Sequence, residues 1–155
     1  MRINVHTSPA LRSWGITILR VIVGVVFLVH GLQKALITGM TGVAEFMGQV
    51  GLPLPMASAV VVTSIEVVCG LALITGLLTR WAAIPLAITM LVATAVVHRP
   101  AGFFLPAGYE YALTLLAACT SLSLVGSGAC ALDNLLRLGA ESAAPEAQRP
   151  TTKVA

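Results

Sequence analysis

Charged residues are scarce in this chain: of 155 residues, 10% are Asp, Glu, Lys or Arg, while 57% are apolar. A soluble domain carries about 25% charged residues, so a water-facing globular surface cannot be assembled from this stock. Intrinsic disorder is excluded by the same imbalance, since it requires low hydrophobicity and high net charge. The nine basic residues lie scattered, with no Lys/Arg-rich run and no basic patch interleaved with aromatics. Nucleic acid is therefore not an expected partner. Cysteine is equally sparse. Cys69, Cys119 and Cys130 form no C-x-x-C pair and no metal-ligand spacing, so neither a disulfide scaffold nor a metal site is expected. Dinucleotide motifs, reactive thiol pairs and haem-binding spacings are missing as well. What remains is a chain whose solvent is lipid.

What the sequence does have is four apolar runs, at residues 14–34, 56–78, 81–98 and 109–126. Each has roughly the 17–25 residues that a helix needs to cross about 30 Å of hydrocarbon. Helices satisfy their own backbone groups in lipid. The expected fold is therefore all-α, a polytopic membrane protein built as a bundle of four transmembrane helices over residues 14–139. Residues 1–13 read as a cytoplasmic segment, and 140–155, small, polar and Pro-containing, as a disordered cytoplasmic tail. The first run reads as an uncleaved helix, because His30, Gln33 and Lys34 follow it instead of a small-x-small cleavage site.

Orientation follows from the Lys/Arg bias. An even number of spans puts both termini and the 78–80 turn on one side, which carries Arg2, Arg12, Arg80, Arg137, Arg149 and Lys153. The other side has only Lys34 and Arg99. Both termini are thus expected in the cytoplasm. Residues 36–55, rich in Gly and ending in Gly51-Leu-Pro-Leu-Pro55, read as a long outer loop. The outer segment 99–108 holds Phe103 and Phe104, an aromatic cap expected to dip into the membrane interface.

Ionisable residues within spans are rare and face the bundle interior. At 100° per residue, Arg20, Phe27, His30 and Lys34 share one face of the first helix. Glu66 stands near the middle of the second span, with Thr63 and Gly70 on its face. His98 closes the third span, and Glu110 opens the fourth, where Thr114 and Ser121 share its face. The candidate polar cavity is therefore Arg20, His30, Lys34, Glu66, His98 and Glu110, opening outward, with Phe27, Phe103 and Phe104 as its walls. Singly, most of these have ordinary explanations, such as snorkelling for Arg20 or interfacial anchoring for Lys34 and Glu110. Glu66 resists them. A mid-span carboxylate is unfavourable by a few kcal/mol unless paired, hydrated or protonated. It either pairs with Arg20 or a histidine to hold the bundle, or handles a proton or ligand.

The stretch Arg20-Val-Ile-Val-Gly24-Val-Val-Phe27-Leu-Val-His30-Gly31-Leu-Gln33-Lys34 resembles the first-helix signature of the DoxX family. Matching features follow in the family's order: Gly51-Leu-Pro53, Glu66 with Gly70, Gly76-Leu-Leu-Thr-Arg80, His98, Gly102-Phe103-Phe104, Gly108-Tyr109-Glu110-Tyr111 and Leu132-Asp133. Cys69 stands where the family often has a second glycine. The resemblance implies a small four-helix inner-membrane protein, related to the membrane subunit of a thiosulfate:quinone oxidoreductase. It also implies a link to oxidative-stress defence, thiol homeostasis or quinone detoxification, and in some members anchoring of an oxidoreductase assembly. It assigns no catalytic residue.

Three functions follow as expectations. The first is a redox-linked membrane subunit whose cavity binds a quinone or similar ring compound, with His30 or His98 on a carbonyl and Glu66 exchanging protons. No other cofactor is evident, and electrons would come from an oxidoreductase partner protein. The second is a non-catalytic anchor or scaffold of such a complex. The third is a small-molecule transporter, for which four helices are few unless the chain forms a homodimer. An accessory subunit is expected over an enzyme acting alone.

Overall fold

The computed structural model describes residues 8–136. The expected disordered tail at 140–155 lies outside the described residues. All regular structure among them is helical: α1 Pro9–Gln33, a π-helical turn Lys34–Thr38, α2 Gly39–Gln49, α3 Pro55–Thr75, α4 Thr79–Val92 and α5 Glu110–Val125. A second π-helical segment, Ala93–His98, and a short 3-10 turn, Arg99–Ala101, extend α4. Three helices are long and apolar enough to cross a membrane, and α5 is a shorter apolar one. At 1.5 Å per residue its 16 residues span roughly 24 Å, less than the roughly 30 Å of hydrocarbon in a typical bilayer.

Local chemistry explains the helix ends. The Ser8 hydroxyl accepts from the Leu11 amide at 3.3 Å, and Pro9 occupies the first turn, where its missing N–H is harmless. α3 likewise starts on Pro55. It stops at Gly76, whose positive φ of 73° lets Leu77 N–H return to the Ala72 carbonyl at 2.9 Å. That turn joins α3 and α4 almost without a loop.

Residues 36–55 are not the loop their glycines suggest. Most of them form α2, whose Val43, Ala44 and Met47 are buried against Ala59 of α3. Those three positions make an apolar stripe at helical spacing. Packing on α3 outweighs the low helix propensity of Gly39, Gly42 and Gly48. Gly39, at φ 73°, ends the π turn and redirects the chain.

The main core joins Val23 and Phe27 of α1, Leu73 of α3, Leu86 of α4, and Leu115, Cys119 and Leu122 of α5. α1 packs chiefly on α3, and α4 on α5. Leu11, Ile18, Ile22, Val25 and Val29 form an exposed face of α1. A helix apolar on both faces belongs in lipid, so that exposed stripe is the bilayer contact.

Candidate functional site

Between the C-terminal end of α1, α2, α3, the end of α4 and the start of α5 lies a cavity of about 820 Å³. Its walls are mostly apolar, and Glu66, Lys34, His30, His98 and Tyr111 are the ionisable groups on them. Phe27, from the face predicted for it, is part of the wall.

At its centre Lys34 Nζ donates to both Glu66 oxygens, at 2.5 and 2.6 Å. Glu66 is 3% exposed and the Lys34 side chain 28%, so the pair stands at the cavity surface rather than sealed in the core. Glu66 therefore pairs with neither Arg20 nor a histidine, the partners expected from sequence. Geometry explains the choice. Gly31 of α1 lies at the height of Glu66, where a β-carbon would come within 3.1 Å of the Glu66 β-carbon. Lys34 is one turn further on, and helical side chains lean back toward the N-terminus, over the turn before them. Lys34 thus reaches down onto Glu66.

The two histidines stand on either side. The His30 ring lies 6.5 Å from that of Tyr111, tilted by 49°. His98 Nδ1 is 3.0 Å from the Ala107 carbonyl. If Nδ1 carries the proton, Nε2 is left as an acceptor. Both π-helical segments border this cavity: Lys34 begins one and His98 ends the other. Such widened turns frequently mark functional sites.

Four of the residues proposed from sequence do not join this group. Arg20 shares the helix face of Lys34 but sits 14 residues away, roughly 21 Å along the axis. It is 1% exposed at the opposite pole, where Nη2 donates to the Cys130 carbonyl at 2.5 Å. There it runs beneath the Gly76 turn, with no room for a side chain above it. Glu110 turns instead to its own loop and accepts the Leu105 amide at 2.7 Å. Thr114 and Ser121, on its face, are exposed and bonded back to the carbonyls of Glu110 and Ala117. The inward face of α5 is Ala112, Leu115, Cys119 and Leu122. Phe103 and Phe104 stack edge-to-face with centroids 5.2 Å apart, and Phe104 is 78% exposed. They form an outward aromatic cluster with Tyr109 and not a cavity wall.

Sequence reasoning missed Tyr111 and the α2 side of the cavity, where Val43, Phe46 and Met47 stand. The signal for α2 was its helical stripe, masked by glycine. For Tyr111 it was the apolar period of α5, whose buried positions run through Ala112 and Leu115.

The DoxX family model matches residues 15–99. CatD of Bacillus subtilis, a candidate oxidoreductase by its name, is 40% identical over 119 residues, covering 77% of this chain and 84% of CatD. An uncharacterized membrane protein of Mycobacterium tuberculosis is 32% identical over 151 residues, 84% of this chain and 92% of that one. An uncharacterized protein of Haemophilus influenzae is 36% identical over 129 residues, 79% and 91% of the two chains. No solved structure matches. The matched segment carries α1 to α4, including the paired Lys34 and Glu66, and on these matches the chain belongs to the DoxX family.

Proposed function

We propose that this chain is a redox-linked subunit of a bacterial inner membrane whose cavity takes a quinone or a similar ring compound. The supporting observation is the cavity itself. At about 820 Å³ it falls in the range of small-molecule sites, about 300–1,000 Å³, which are mostly apolar with a few convergent polar groups. Lys34 has a third N–H beyond the two given to Glu66, enough to donate to a ring carbonyl. Glu66 is the carboxylate placed to take up or release protons as such a ring gains or loses electrons. His30 and His98 offer further polar contacts, and Tyr111 an aromatic one. The electrons come from a partner oxidoreductase, consistent with the name of the Bacillus relative and with the lack of a dinucleotide motif here. The Lys/Arg bias supports cytoplasmic termini and, with them, a cavity that opens outward.

A second reading, a non-catalytic anchor, draws support from the same pair, because Lys34 already satisfies the Glu66 carboxylate from within. The two separate on one experiment: solvent extraction and chromatography of quinones from the full chain, purified gently from its own membrane. Retained quinone in the parent, lost in Glu66→Gln and His98→Ala variants that still fold, supports the redox site. No quinone in the parent, with a stable partner protein co-purifying, overturns it in favour of the anchor.

A further inference from the structure

A second cavity, of about 610 Å³, lies at the opposite pole, between the first turns of α1, the start of α4 and the segment after α5. Arg12 and Arg80 both line it. Neither forms an ion pair with a described residue. The Arg12 side chain bonds no other described residue, and Arg80 Nη2 meets only the Val125 carbonyl, at 3.5 Å. Asp133 lines the same space, but both its oxygens are occupied, accepting from the Leu78 and Thr79 amides at 2.7 and 3.2 Å. Its carboxylate is turned to the N-terminus of α4. The Gly126–Gly128 turn also lines this space, and the amides of Ser127 and Gly128 donate to no other described group. Around the rim, Leu78 and Leu136 are exposed, and Trp81 is 71% exposed.

Two guanidinium groups that line one cavity and pair with no described carboxylate select an oxyanion, and phosphate best matches their fork of donors. A rim of Trp and Leu in a membrane protein lies where headgroups meet acyl chains. We propose that this cavity binds the phosphate of an anionic phospholipid, held between Arg12 and Arg80, with its glycerol and acyl portion against Leu78 and Trp81. The site is independent of the ring-compound cavity, which it shares no residue with.

The test is native mass spectrometry of the intact chain, exchanged into phosphatidylglycerol, phosphatidylcholine, or inorganic phosphate in a neutral detergent. The parent retains phosphatidylglycerol about tenfold over phosphatidylcholine, and Arg12→Gln with Arg80→Gln abolishes that preference, as loss of charged hydrogen bonds requires. Arg80 also lies along Gly126, so the double variant carries a folding risk. Arg12→Gln alone removes no bond to a described residue and still lowers retention several-fold. Arg99→Gln, at the other pole, changes nothing. Arginine-dependent retention of inorganic phosphate, without preference between the lipids, overturns the lipid assignment and leaves a free-phosphate site. Equal retention of both lipids without phosphate binding, or an unchanged preference in Arg12→Gln, overturns the proposal.

Discussion

Gly31 lies flat against Glu66: a β-carbon on Gly31 would stand 3.1 Å from that of Glu66 and 2.7 Å from a Val67 methyl. The missing side chain brings α1 and α3 close enough for Lys34 to reach a carboxylate on the neighbouring helix. Two turns toward the other pole, Gly24 and Gly70 repeat the arrangement. There a β-carbon on Gly70 would meet the Leu28 amide nitrogen at 2.8 Å and the Gly24 carbonyl at 3.0 Å. Small residues at such crossings let backbones approach in lipid, where packing has to replace the hydrophobic effect.

The glycines therefore rank by what surrounds them. Gly70→Ala, blocked by backbone atoms, destabilises by about 1–3 kcal/mol. Gly31→Ala does less harm, because part of the obstruction is a valine methyl that can shift. Gly15 has nothing within 4 Å, and Gly15→Ala stabilises by up to about 1 kcal/mol through reduced chain entropy. Thermal unfolding of the three variants in one detergent gives the order, and equal shifts would refute it.

Removing one member of the central pair should be worse than removing both. Lys34→Met strands a carboxylate that is 3% exposed, with a loss of about 3 kcal/mol, near the low end for buried pairs because the lysine is partly open. Lys34→Met combined with Glu66→Met recovers most of that loss. A double-mutant cycle by denaturant titration checks this, and simple additivity would show that the two side chains do not interact.

Glu110 holds its loop and stays outside the cavity. Glu110→Ala removes the acceptor for the Leu105 amide and costs about 1 kcal/mol. Hydrogen exchange should quicken over 102–109 while quinone retention stays at the parental level. Loss of retention would return Glu110 to the cavity group.

At the other pole, Asp133 caps a helix more than 50 residues before it in the chain. Asp133→Ala leaves the Leu78 and Thr79 amides without their carboxylate, a loss of about 0.5–2 kcal/mol. The same change loosens the 126–136 segment, whose Ala129 amide also donates to the Thr17 hydroxyl at 2.9 Å. Faster exchange at Leu78 and Thr79 and easier proteolysis near residue 130 are the expected readouts. Protection equal to the parent would mean that another group caps α4.

Much of this was open to reading along the chain. Charge scarcity and long apolar runs demand helices in lipid, whatever their partners. Pro9, Pro55 and Gly76 mark helix ends through restrictions each residue imposes on its own backbone. The angular argument also put Phe27, His30 and Lys34 on one face of α1. Those features depend on residues a few positions apart.

The rest depended on neighbours distant in sequence. Angle alone grouped Arg20 with Lys34, but the length of the helix sends them to opposite poles, one beneath the Gly76 turn and one onto Glu66. Glycine content read α2 as a loop, because the burial of Val43 and Met47 against Ala59 exists only once α3 is in place. Glu110 was polar and near the right end, yet the rotation of α5 is set by Leu115 and Cys119 entering the core, which turns Tyr111 toward the cavity instead. The sequence by itself determined the solvent, the helices and most of their ends, since these follow from local hydrophobicity and backbone preference. Only the tertiary structure decided which charges meet, because a pair such as Lys34 and Glu66 depends on how closely two helices approach, and that distance is set by glycines on both.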